Sequence, residues 1–236
     1  MSGYLVLEGG AEFGGAMAEP DRRALVLAGG YGVPVRIIPT AAAPDQNDER
    51  AGHNGVRWFR HLGATDVQSL KLIDEPSAAD PAVAQELAQA KLIYLLGGFP
   101  HFLAQTLNGS AAWSAVLAAY EQGAVIAGSS AGAMVLCQYY FDPSGGRVIE
   151  GLNLIPNACV LPHHNTFGQR WVPQLTELLP HALLLGIDER TGIINDGEEG
   201  TWTVYGEGEV VVYQGGEKTV YKNGDHFLTG GKSSTP

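Results

Sequence analysis

The chain has 236 residues, 45% of them hydrophobic and 17% charged, with a formal net charge of −11. A disordered chain would need the opposite balance of apolar and charged residues. A surface this acidic repels phosphate backbones, so nucleic acid is excluded as an expected partner.

In chain order, short apolar runs ending in small residues or glycine alternate with helical patterns. Leu5-Val6-Leu7 reads as a strand leading into Gly9-Gly10. A second strand over 35–40 ends at Ala41-Ala42-Ala43-Pro44. A helix over 49–62 carries Val56, Phe59 and Leu62 on one face. Another starts at Asp80, with Pro81 in its first turn and Val83, Leu87 and Ala90 aligned. A strand over 92–96 ends in Gly97-Gly98, and helices follow over 102–107 and 111–122. A strand over 124–128 runs into Ser129-Ser130 and a helix over 131–139. Val160-Leu161 is a short strand before Pro162-His163-His164. A helix over 172–179 precedes Pro180, and an apolar run covers 183–187. The segments 201–205 and 210–213 read as a β-hairpin around Gly206-Glu207-Gly208-Glu209, extended by 218–221, with Asn223-Gly224 as a turn. Residues 229–236 form a polar tail. The pattern predicts an α/β fold with a mostly parallel central sheet covered on both faces, a C-terminal β-hairpin and a single domain over 1–236.

The two cysteines, Cys137 and Cys159, fit neither a close pair nor a zinc spacing and read as small core hydrophobes in a reducing compartment. The start of the chain lacks a basic segment and a long apolar run, and no stretch approaches the ~18 apolar residues of a membrane helix. The expected location is the cytoplasm, with no membrane contact.

Chemistry concentrates at Gly128-Ser129-Ser130-Ala131-Gly132-Ala133. A strand–turn–helix junction pushes a hydroxyl out at the carboxyl end of the sheet and aims free N–H groups at a developing oxyanion. Gly128 and Gly132 flank Ser130 at the spacing of a G-x-S-x-G elbow, which favours Ser130 over Ser129. A serine here also reads as an ordinary helix N-cap. Gly97-Gly98 ends a neighbouring strand, so the N–H groups of Gly98 and Ala131 are candidates for the oxyanion hole; a plain glycine turn is the other reading. Among seven histidines, His163 and His164 lie at a strand end downstream of the elbow, where an α/β sheet presents catalytic groups. Side chains of strand neighbours point to opposite faces, so only one of the two can face Ser130. His164 would then meet the substrate rim or pack beneath a loop. His101, just after Gly97-Gly98, is a candidate for substrate contact, whereas His61 and His226 read as surface or packing residues. Glu189, Asp188 and Asp142 are candidates for the orienting acid, though each alone reads more often as a solvated carboxylate.

Taken together, Gly9-Gly10, Leu96-Gly97-Gly98, Gly128 to Ala133, Pro162-His163 and Gly186-Ile187-Asp188-Glu189-Arg190-Thr191 resemble, in that order, the cyanophycinase and aspartyl-dipeptidase (peptidase E-like) family of serine peptidases. The resemblance runs from the first strand to about Ile194. It implies the class I glutamine amidotransferase-like fold, a flavodoxin-like three-layer sandwich. It implies Ser130 as nucleophile, His163 as base, Glu189 as the acid in the cyanophycinase branch, and Gly98 with Ala131 as oxyanion donors. In the dipeptidase branch the acid lies soon after the serine, where Asp142 is the nearest match. Two departures bear on substrate. Phe99-Pro100 follows the glycine pair in place of an acidic or polar residue and Gln, and only Arg170 follows the histidines where cyanophycinases carry several arginines. These departures predict poor activity on cyanophycin, with Arg170 and His101 left as candidate substrate contacts. The expected activity is serine-type hydrolysis of a small peptide or isopeptide without metal or cofactor. The expected partners are that peptide and a second copy of the chain in a homodimer. A glutamine amidotransferase would carry cysteine at the elbow, and a catalytically silent binding protein on the same scaffold is the competing reading.

Overall fold

Every apolar run that ends in glycine forms a strand in the computed structural model, which describes residues 2–228. The tail expected over 229–236 lies outside the described residues. The first strand, β1 (Leu5–Glu8), is buried throughout. It leads to α1 (Ala18–Leu27), which periodicity does not reveal because the face it buries includes Pro20 and Asp21 beside Ala24 and Leu25. Next come β2 (Pro34–Ile38), a 3-10 turn at Thr40–Asp45, and α2 (Asp48–His61). Acidic Asp48 and Glu49 in the first turn of α2 and basic Arg60 and His61 in the last complement its dipole.

The chain continues with β3 (Asp66–Ser69), α3 (Glu75–Ala78) and α4 (Pro81–Gln89). Asp74 and Ser77 form a capping box on α3, and the Asp80 carboxylate accepts from Ala82 N–H on α4. Then follow β4 (Leu92–Leu95), α5 (Pro100–Leu107), α6 (Ala111–Glu121), β5 (Val125–Ser129) and α7 (Ala131–Leu136). The helix expected over 131–139 stops at Leu136, and the aromatic segment beyond it becomes β6 (Cys137–Asp142). Tyr139, Tyr140 and Phe141 favour a pleated, half-buried surface over a helix.

The remaining elements are β7 (Arg147–Glu150), β8 (Ile155–Leu161), α8 (Val172–Leu178), β9 (Leu183–Ile187), β10 (Thr191–Ile194), β11 (Trp202–Gly206), β12 (Val210–Gln214), β13 (Glu217–Tyr221) and β14 (His226–Phe227). Among the described residues the strands form two sheets. The larger has the order β14-β11-β10-β1-β5-β4-β2-β3, and β1, β5, β4, β2 and β3 run parallel. The second has the order β13-β12-β9-β8-β6-β7, with β6, β8 and β9 parallel.

Strand parity sorts the core of the larger sheet. Leu5, Leu7, Ile93 and Leu95 face one cluster with α4, α5 and α6, whereas Val6, Leu92 and Tyr94 face another with α1 and α2. Burial on both faces explains why these strands read as continuous apolar runs. Cys137 and Cys159 are free and buried, and burial pushes both thiols up, Cys159 to about 12.

The second sheet corrects the expected hairpin. β11 and β12 do not pair. β11 lies between β10 and β14 in the larger sheet, and β12 lies between β9 and β13 in the other. The tight hairpin is β12–β13, closed by Gly215 and Gly216 with φ of 58° and 85°. Alternation marks both segments as half-buried strands but carries no information on which sheet each joins.

Candidate active site

Ser130 stands where β5 hands over to α7, with φ 50° and ψ −112°, a region that residues with a Cβ avoid. Its N–H donates to Glu8 O and its carbonyl accepts from Met134 N–H, both at 3.0 Å. A methyl on Gly128 would meet the Gly132 carbonyl carbon at 2.5 Å, and one on Gly132 would meet Leu95 O at 2.2 Å. The glycine spacing is thus a packing requirement: it lets α7 start flush against β4 and β5 while Ser130 projects outward. Ser129 is fully buried and its hydroxyl donates to Glu12 Oε2 at 3.0 Å.

His163 reaches the serine from the second sheet. Its Nε2 is 2.9 Å from Ser130 Oγ, and its Nδ1 is 2.8 Å from Glu189 Oε1. Three loops are pinned around this chain of contacts. His163 N–H donates to Gly9 O at 2.7 Å, Arg190 N–H donates to Gly10 O at 3.0 Å, and Glu189 N–H donates to Asn165 Oδ1 at 3.0 Å. The imidazole stacks on Phe167 with ring centroids 4.8 Å apart. It also crosses Gly10 closely, since a methyl there would stand 2.3 Å from His163 Cε1.

His164 turns the other way. It is buried, bonded through Nε2 to Tyr213 OH at 3.0 Å, and 3.4 Å from Asp188 Oδ1 through Nδ1. Burial holds its pKa below the ordinary histidine value despite the neighbouring Asp188. The two histidines diverge because β8 ends at Leu161 and His163 takes a left-handed conformation with φ 49°. The other candidates lie apart from the Ser130–His163–Glu189 line. Asp188 accepts from Glu209 N–H. Asp142 caps the β6–β7 turn through Ser144 N–H and lies 3.7 Å from Arg147. His101 Nδ1 contacts Tyr140 OH at 2.9 Å. Arg170 is exposed in the 3-10 turn Gly168–Trp171.

Gly97-Gly98 borders the serine, a methyl on Gly97 falling 3.2 Å from Ser130 Cβ. Ala131 opens α7, where first-turn N–H groups have no intrahelical acceptor. Beside this corner lies a cleft of about 750 Å³, walled by α2 and bordered by Glu12, Gly97 and Gly98. Arg50, Asn54, Arg57 and Trp58 line it. A search for apolar periodicity passes over the two arginines, although the spacing Arg50, Asn54, Arg57 is a polar stripe at helical period and carries the signal. Arg50 Nε donates to Asn47 Oδ1 at 2.7 Å, and Arg57 Nη2 donates to Asn54 Oδ1.

A hydroxyl, an imidazole and a carboxylate in line, beside free amide donors and a cleft, make a constellation suited to acyl transfer. Comparison with known proteins agrees in class. The model of peptidase family S51 matches residues 7–203. A crystal structure of a peptidase from an acI-B1 Actinobacterium superposes with a TM-score of 0.84 at 29% identity, covering 96% of this chain and 97% of that one. A protein provisionally assigned to peptidase E from Listeria monocytogenes EGD-e shares the fold, with a TM-score of 0.64 at 19% identity, covering 88% of this chain and 100% of that one. Among the described residues, no helix is long and apolar enough to cross a membrane.

Proposed function

The chain belongs to peptidase family S51, and from that premise we propose that this serine peptidase hydrolyses an amide bond of a small peptide through Ser130, His163 and Glu189. The observation that carries the reading is the unbroken line from Ser130 Oγ through both ring nitrogens of His163 to Glu189 Oε1, at 2.9 and 2.8 Å. His163 takes the Ser130 proton as the hydroxyl attacks the carbonyl carbon. Glu189 holds the imidazole in the tautomer that leaves Nε2 free to accept. The N–H groups of Gly98 and Ala131 receive the oxyanion. His163 then protonates the leaving amine, and water, deprotonated in turn by His163, hydrolyses the acyl-enzyme.

The cleft supports a short substrate carrying a carboxylate toward Arg50 and Arg57, because a guanidinium pairs with a carboxylate in a two-pronged geometry. A fluorophosphonate probe tests the core of the reading. Covalent labelling mapped to Ser130 is the expected result, and an unlabelled protein would mean a silent scaffold. A dipeptide library that includes aspartyl and isoaspartyl peptides then ranks substrates.

A further inference from the structure

Behind the nucleophile elbow lies an acidic cluster that this mechanism does not use. Glu8, at the end of β1, and Asp21, on α1, are fully buried. Tyr94 O–H donates to Glu8 Oε2, and the Trp58 indole N–H donates to Asp21 Oδ2 at 2.6 Å. The two remaining oxygens, Glu8 Oε1 and Asp21 Oδ1, are buried without a donor. Glu8 packs beside the start of α1, its Cγ and Pro20 Cβ both bordering Gly192, and each carboxyl group is a neighbour that shifts the other. Glu12 approaches from the loop after β1 and Tyr94 from β4, and among the described residues no Lys or Arg forms an ion pair with Glu8 or Asp21.

Two adjacent carboxylates, dry and without a counter-ion, cannot both be ionised. One proton held between the two carboxyl groups would supply the donor that the orphaned oxygens lack. We propose that Glu8 and Asp21 share one proton, and that this dyad is a positioning element for the cleft beside Ser130. Its reach follows from its contacts. Trp58 lines the cleft and packs near Phe13, 6.5 Å between centroids, and Tyr94 packs on Phe13 at 5.5 Å. The Glu8 carbonyl holds the Ser130 N–H. The dyad therefore ties the nucleophile turn, α1 and the α2 wall of the cleft into one network. Burial, and next the Asp21 charge, hold the Glu8 carboxyl well above the usual range, and burial raises Asp21 as well. Loss of the shared proton at alkaline pH puts two charges in contact and drives Asp21, with Trp58, off its place in the wall.

Infrared difference spectroscopy reads the proton without a substrate. The wild type at pH 7 is expected to show the carbonyl stretch of a protonated carboxylic acid, sensitive to D₂O. Glu8→Gln and Asp21→Asn should each lose it, because the Tyr94 and Trp58 donors hold the amide oxygen and turn its NH2 toward the remaining carboxylate. A wild-type spectrum without that band overturns the proposal. The kinetic arm rests on the reading of the cleft as the substrate site. Wild-type KM should climb several-fold into the alkaline range with kcat moving less. Glu8→Gln keeps a donor but has no proton to lose, so its KM should stay flat there. Superimposable KM profiles overturn the positioning role. A protein that shows the band but hydrolyses no peptide leaves the shared proton standing and counts against the Ser130 reading instead.

Discussion

Ser130 and His163 meet across the seam between the two sheets: Ser130 follows β5 of the larger sheet, His163 follows β8 of the other, and Oγ and Nε2 are 2.9 Å apart. Neither sheet carries the site alone. The loops after β1, β8 and β9 are hydrogen-bonded together at Gly9, Gly10, His163 and Arg190, so the line of contacts is as rigid as the packing of one sheet against the other.

The nucleophile is the first test. Ser130→Ala should lower kcat by roughly 10⁴-fold or more while the circular dichroism spectrum is retained. Ser129→Ala removes a buried hydroxyl bonded to Glu12 and should keep most of the turnover. Ser130 also stores backbone strain at φ 50°. Ser130→Gly should therefore raise stability by about 1 kcal/mol in thermal melts while being inactive. An inactive Ser129→Ala beside an active Ser130→Ala would reverse the assignment.

The histidines separate by what each variant loses. His163→Ala should lose nearly all turnover with little change in stability. His164→Ala leaves Tyr213 and Asp188 without their buried partner, so it should lose stability, by about 1–3 kcal/mol, and keep turnover in the folded fraction. The pH dependence has a sign. Burial lowers the His164 pKa in the folded state, so the unfolded chain binds a proton more readily. His164 thus contributes stability that is present above the ordinary histidine value and is lost as pH falls below it. Urea titrations across that range should show the loss in the wild type and a flatter profile in His164→Gln; identical slopes would refute it.

Glu189 and Asp142 are separable by the same logic. Under the proposed mechanism, Glu189→Gln keeps the size of the side chain but removes the charge beside His163 Nδ1, and kcat should fall by roughly 10²–10⁴-fold. Asp142→Asn disturbs the β6–β7 turn and its contact with Arg147, so kcat should change by less than about threefold. A collapse of kcat in Asp142→Asn with Glu189→Gln near wild type would place the acid in the segment after the serine.

The cationic wall of the cleft predicts a KM effect. Arg57→Gln and Arg50→Gln should each raise KM about tenfold for a peptide bearing a carboxylate and leave an uncharged amide analogue unaffected. Equal effects on both substrates would remove the arginines from carboxylate recognition.

The elbow was legible in the sequence because its geometry is local. A strand, two glycines around a serine, and a helix start are contiguous, and the steric demands that join Gly128 to Gly132 lie within five residues. The parallel core was legible for a related reason: strands buried on both faces must be apolar at every position, and glycine marks their ends. Three features lay beyond local pattern. Ser130, His163 and Glu189 are separated by 33 and 26 residues; the family resemblance named the three together, and the docking of two sheets is what sets His163, not His164, on Ser130 and Glu189, rather than Asp188 or Asp142, on the ring. The division of β11 and β12 between sheets was hidden because alternation specifies a half-buried strand and not its neighbour. The buried pair Glu8–Asp21 was hidden most deeply, since a carboxylate in a sequence reads as solvated until the fold removes its water and sets a second carboxylate beside it.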